Sequence, residues 1–167
     1  MQLPVDLREP IRAFASATVE ARARVLAQVV ERRALVAALA LLPNAMAGER
    51  DVDDAILRLL RRASGDELAA LDRAARSVST WYRLGFGARV FPTWDVDDAS
   101  LAALVVLSML RDGRTREAAT RALAAVDDDV ATLALLVRVD DVVPAVRDLA
   151  AAALEPRIVP DRAASFV

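Results

Sequence analysis

The chain has no cysteine and no histidine, and all 22 of its basic residues are arginine. These absences exclude whole classes of chemistry. No disulfide can form and no thiolate can act as a nucleophile. No imidazole is present as base or ligand, which removes zinc sites built from Cys and His. No lysine can form a Schiff base or serve a P-loop. Only carboxylate, hydroxyl and guanidinium chemistry remains. Aromatics make up 4% of the chain, and its 167 residues include only 5 glycines and 7 prolines. Long apolar runs are missing too. The longest, residues 34–42, is well short of the ~18–20 residues a membrane-spanning helix needs. Residues 1–6 lack the basic stretch and apolar run of a signal peptide. The expectation is a soluble, cytoplasmic protein with no membrane association.

What is present is alanine, leucine and charge. Hydrophobic residues are 56% of the chain and charged residues 28%. With so little Gly, Pro and aromatic content, this composition favours packed helices over sheet. A chain of 167 residues is one domain, large enough to bury a core. Asn and Gln are almost absent, which fits a GC-rich coding bias of bacterial type. The net charge is −2, unevenly spread: 14 Arg against 11 acids in residues 1–94, and 8 Arg against 13 acids in residues 95–167. Neither half carries the strongly basic face of a general nucleic-acid binder.

Apolar spacing marks the helices. Asp6 is placed to cap a first short helix, with Glu9 as its box partner and Pro10 in the first turn. Thr18 opens a second, over residues 19–33, with Val19, Ala23, Leu26 and Val30 on one face. Residues 34–42 are apolar all round, which predicts a central buried segment ended by Pro43-Asn44. Asp51 or Asp53 is expected to cap the next helix, with Ile56, Leu57, Leu59 and Leu60 inward. After a break at Ser64-Gly65-Asp66, residues 67–82 read as one helix.

Residues 81–95 differ from the rest. Five of the seven aromatics lie here (Trp81, Tyr82, Phe86, Phe91 and Trp94), with Gly85, Gly87 and Pro92. This reads as the longest non-helical connection. Trp, Tyr and Arg are common interface anchors, so Trp81, Tyr82, Arg83, Phe86, Arg89, Phe91 and Trp94 are the candidate partner-binding residues. The competing reading is that these rings pin a long loop onto the helices. Gly85-Phe86-Gly87 follows a helix and lacks a third glycine, so it is not a nucleotide fingerprint.

The strongest pattern is a repeat. Thr115-Arg116-Glu117-Ala118-Ala119-Thr120-Arg121-Ala122-Leu123 aligns with Val146-Arg147-Asp148-Leu149-Ala150-Ala151-Ala152-Ala153-Leu154, 31 residues on. Arg116 matches Arg147, and Leu123 matches Leu154. An apolar helix precedes each copy, and Pro144 lies where a first helical turn tolerates it. Helix pairs at one fixed spacing are the mark of a helical array. The V-R-x-x-A-x-x-A-L core after an apolar helix and an Asp-bearing turn resembles HEAT repeats, those of bacterial proteins in particular. The resemblance covers residues 96–154 well and the earlier residues loosely. It implies a right-handed superhelical α-solenoid of antiparallel helix pairs, used as a protein-binding scaffold. It also implies that Arg116 and Arg147 bond Asp side chains in neighbouring inter-helix turns.

The expected organisation is a single domain. Irregular helices over 1–80 are followed by the aromatic loop 81–95 and two HEAT-like repeats over 96–155. Residues 156–167 form a tail or the start of a next helix, as in the N-terminal part of a longer protein. The expected total is seven or eight helices. Acidic knots recur at Asp51-Val52-Asp53-Asp54, Asp95-Val96-Asp97-Asp98, Asp127-Asp128-Asp129 and Asp140-Asp141. Each precedes a helix, where Asp caps free N–H groups. None has the Gly and Glu of an EF-hand loop. Residues 45–57 are faintly similar to the opening of an annexin repeat, but Arg50 and Asp51 stand where a second Gly and a Thr belong. Calcium-dependent membrane binding is therefore a minor alternative. The main alternative is a nucleic-acid-binding solenoid resembling HEAT-like DNA glycosylases, with Trp81, Arg89, Trp94 and Asp95 supplying the residue types. The leading expectation is a non-catalytic scaffold with no cofactor and no metal, whose partner is another protein.

Overall fold

A computed structural model of the chain describes residues 1–84 and 94–158. The described residues are all-α, with ten α-helices, one 3-10 turn and no strand. That is more helices than the apolar spacing predicted. The helices are short, and the predicted span 67–82 divides into two.

α1 (Val5–Arg12) starts ahead of its expected cap. Pro4, with φ −50° and ψ 141°, occupies the N-cap position, and its carbonyl accepts from Leu7 N–H at 3.1 Å. Asp6 lies in the first turn rather than capping, and it forms an ion pair with Arg32 at 2.8 Å. Pro10 consequently lies beyond the first turn. Leu7 and Ile11, one turn apart, face inward. A 3-10 turn (Phe14–Ser16) buries Phe14, and the Arg22 guanidinium lies 4.6 Å from its ring centre.

α2 (Val19–Glu31) opens on Thr18 as expected, whose hydroxyl accepts from Ala21 N–H at 3.3 Å. It buries Val25, Leu26 and Val29. This corrects the predicted face, since Val19 and Ala23 are exposed. Arg33 (φ 51°) ends α2 in the left-handed region, where Ala34 N–H bonds the Val29 carbonyl at 3.0 Å.

α3 (Ala37–Met46) is the central helix, and residues 34–42 are all buried, as read from the sequence. Pro43 does not end it. The helix carries on for another turn and closes at Gly48 (φ 79°), where Glu49 N–H bonds the Asn44 carbonyl at 3.2 Å.

α4 (Arg50–Arg61) turns Val52, Ala55, Ile56, Leu59 and Leu60 inward, while Leu57 is only half-buried. Neither Asp51 nor Asp53 caps it. Both lie in its first turn, and Asp53 accepts from Ser100 Oγ at 2.6 Å. Residues 67–82 are two helices, not one: α5 (Gly65–Arg76) and α6 (Val78–Arg83), parted at extended Ser77. Ser64 and Glu67 form a capping box on α5.

The last four helices follow the expected pairs. α7 (Leu101–Leu107) is capped by Ser100, not by the Asp95–Asp98 knot, and its residues 102–107 are all buried. α8 (Gly113–Ala124) is capped by Asp112 and α9 (Asp129–Arg138) by Asp128. α10 (Pro144–Leu154) begins with Pro144 at its first position. Leu123 and Leu154 are buried.

Consecutive helices pack in pairs: α1 on α2, α3 on α4, α7 on α8, α9 on α10. α3 also meets α1 and α7, and α7 meets α9, so these four helices line the core. On the other side α2 meets α4, and α8 meets α10, while α4 reaches α7. α5 and α6 leave this sequence of pairs, because α5 packs on α9.

Candidate interaction surface and the charge cluster beneath it

Five charged side chains meet where α5, α8 and the α9–α10 turn converge. Asp72 and Arg76 stand one turn apart on α5, Arg116 is in the first turns of α8, Arg138 ends α9, and Asp141 lies in the turn. The Asp141 side chain is wholly buried, as is that of Arg138, and that of Arg116 is 3% exposed. Arg116 grips Asp141 with two parallel bonds, Nη2 to Oδ1 at 2.9 Å and Nε to Oδ2 at 3.0 Å. This fork geometry is specific to arginine. Asp141 Oδ2 also accepts from Arg76 Nη2 at 2.8 Å and Arg138 Nη1 at 2.9 Å, and Oδ1 from Val143 N–H at 2.9 Å. Arg138 and Arg76 are bridged again by Asp72.

Three guanidiniums thus share two carboxylates. The remaining donors go to carbonyls: Arg138 to Ser108 at 2.9 Å, and Arg116 to Leu110 at 3.0 Å and Arg111 at 2.7 Å. Within the cluster, Arg138 Nε is buried without a hydrogen-bond partner among the described residues. Burial pushes the Asp141 carboxyl up. The bonds from Arg116, Val143 N–H and Arg76 more than offset this and hold it well below the usual carboxylate range. For Arg138 burial dominates and lowers its basicity, against Asp72 and reinforced by Arg76. Arg76 is raised: burial acts downward, and Asp72 and Asp141 outweigh it. The cluster is a clamp whose groups are occupied by one another. It ties α5, α8, α9 and the start of α10 into one piece.

The two repeat arginines behave differently. Arg116 reaches Asp141 in the turn between α9 and α10. Arg147 is exposed, and among the described residues it bonds the backbone carbonyl of Asp141, at 3.1 Å, and no carboxylate. Three cluster members carried no flag in the sequence reading: Asp72, Arg76 and Arg138. Arg138 had a usable signal, as an arginine inside the apolar run of α9. Arg157, also unflagged, is buried and donates to the Leu123 and Ala124 carbonyls at 3.2 and 2.6 Å. It thereby supplies a donor to the Ala124 carbonyl at the C-terminus of α8 and a second one to Leu123, which already accepts from Val126 N–H.

The candidate partner-binding residues do not stay together. Trp81, Tyr82 and Arg83 belong to α6, not to a loop. Trp81 is 3% exposed and its indole N–H donates to the Ala75 carbonyl at 2.7 Å, so its ring is part of the core. Tyr82 is 56% exposed, and Arg83 is exposed beside it. Trp94 is partly buried against the core. Phe86, Arg89 and Phe91 lie outside the described residues.

Two open grooves flank the helices. One, of about 450 Å³, runs between α5 and α9, with Leu133, Leu136 and Val137 on one wall and Arg73 and Arg76 on the other. The second, of about 490 Å³, lies between α2 and α4. Among the described residues no three acidic side chains gather into a metal-holding group. No described helix is long and apolar enough to cross a membrane. Compared with known proteins, the chain matches no family model, no curated protein and no solved structure.

Proposed function

We propose that the chain is a non-catalytic protein-interaction module, a HEAT-type solenoid of four helix pairs with α5 and α6 laid alongside. The pairs are α1/α2, α3/α4, α7/α8 and α9/α10. The observation that carries this reading is the two-bond grip of Arg116 on Asp141, which links one helix pair to the inter-helix turn of the next. The order of packing supports it, since α1, α3, α7 and α9 touch in succession. Neighbour-to-neighbour stacking of this kind leaves extended helix-lined surfaces, which solenoids use to hold partners. The arginines and carboxylates of the cluster hold one another, and a partner meets the grooves and the exposed α6 residues Tyr82 and Arg83.

The test is capture from nuclease-treated source lysate with the chain as bait, read by mass spectrometry. One protein recovered at near-equal amounts supports the reading. Recovery of nucleic acid alone, when nuclease is omitted, replaces it with the nucleic-acid alternative.

A further inference from the structure

The apolar stripe Val19, Ala23, Leu26 and Val30 is a sequence feature that the core does not absorb. Only Leu26 is buried; Val19 is 78% exposed, Ala23 is exposed and Val30 half-buried. At i, i+4, i+7 and i+11 these positions run ~17 Å along α2. Ala23, Leu26 and Val30 floor the α2–α4 groove together with Ala27 and Ala55, and Val19 lies beyond its end. Its charged rim is acidic: Glu31, Asp51 and Asp54 against Arg58. None of these three carboxylates has an ion-pair partner among the described residues. A further cavity of about 290 Å³ extends toward Val19, with Asp51 lining both. Its one cation, Arg22, is already paired with Glu49.

We infer that the α2–α4 groove receives an amphipathic helix of a protein partner, with small apolar residues on one face and Arg or Lys along its flanks. This rests on the interaction-module reading. Helix-in-groove recognition needs a floor that accepts anchors at helical spacing, and the stripe provides one. Ala23, Ala27 and Ala55 let the incoming backbone approach closely. The unpaired rim carboxylates select for cationic flanks, and they repel the phosphates of nucleic acid.

The experiment uses the full chain as target for a phage-displayed library of helical peptides. Apolar residues are held at i, i+4, i+7 and i+11, and all flanking positions are randomised. The enriched peptides are expected to carry an excess of Arg and Lys. They are expected to lose at least ~tenfold in affinity on Asp54→Arg, about 1.4 kcal/mol, and to weaken as salt is raised. Ala27→Gln, at an exposed floor position, is expected to block the same peptides with unchanged melting. Tyr82→Ala is expected to leave them untouched. Peptides with neutral or acidic flanks, or peptides indifferent to both groove variants, overturn the proposal and leave the interaction module standing elsewhere on the surface. A dimer of the free chain that Asp54→Arg dissociates in sedimentation also overturns it, because a second copy then fills the groove. Failure of the module reading itself is read separately, by lysate capture that recovers no protein.

Discussion

Asp141→Asn tests the charge cluster directly. The wild-type carboxylate accepts five bonds, four of them from guanidinium groups of Arg76, Arg116 and Arg138. Asparagine keeps the shape, removes the charge, and turns one oxygen into a donor facing other donors. Arg116, 3% exposed, then remains buried without its counter-charge, and Arg138, 0% exposed, keeps only Asp72. Breaking a buried pair from one side costs ~3–5 kcal/mol, because the partner stays desolvated and unpaired. That is a large share of the ~5–15 kcal/mol that holds a domain of ordinary stability. Urea unfolding followed by far-UV circular dichroism measures it, read as a lower midpoint at unchanged slope.

The same variant tests the electrostatics. An unfolded Asp titrates near ~3.9, and the folded Asp141 carboxyl lies below this. Below about pH 4 the unfolded chain therefore binds the extra proton, and Asp141's contribution falls as pH falls, by at most ~1.4 kcal/mol per pH unit. Above that range the contribution is fully present. Glu67 and Asp112, both lowered first by backbone N–H bonds, add slopes of the same sign. They remain in both proteins, so the difference between wild type and variant isolates Asp141. Asp141→Asn is expected to narrow its stability deficit as pH drops from about 4 toward 2. A loss below ~1 kcal/mol at neutral pH, the size of an ordinary hydrogen bond, would refute the clamp. A deficit constant across that pH range would refute the titration argument.

Further outcomes follow from single contacts. Gly48 has φ 79° with open space where a Cβ would go, so Gly48→Ala is expected to cost ~1–2 kcal/mol of unfolding free energy through backbone strain alone. Ser64→Ala removes one half of the α5 capping box and is expected to cost ~1 kcal/mol by urea unfolding. Trp81→Phe leaves the buried Ala75 carbonyl without its indole donor, an expected loss of ~1–3 kcal/mol with a lowered melting temperature. Tyr82→Ala, on the exposed face of α6, is expected to leave stability within ~0.5 kcal/mol. If that face holds the partner, Tyr82→Ala lowers capture.

Local chemistry made much of this protein legible in its sequence. Helix content follows from residue type and apolar period, which act over a turn or two. Residues 34–42 are apolar on every side, so they had to be buried whatever packed around them. Thr18 and Pro144 are end signals that work within one turn, and both stand where they were expected. Asp51 and Asp53 had the right residue type for a cap, yet the chain found other partners for its N–H groups, and Asp53 turned to Ser100.

The tertiary structure decided what depends on which neighbour arrives. Val19, Ala23 and Val30 have the period of a buried face, but the packing around α2 buries Val25 and Val29 instead, and Ala23 and Val30 are left on a groove. Trp81 looks like a surface anchor in an aromatic stretch, yet the break at Ser77 folds α6 back so that the indole reaches Ala75. The charge cluster joins residues as far as 65 and 66 positions apart, Arg76 with Asp141 and Asp72 with Arg138. A carboxylate's value to the fold depends on the cations it meets after burial, and no periodicity carries that information. Sequence alone determined that these helices form. Only their packing decided which charges were desolvated together and which apolar face was left open.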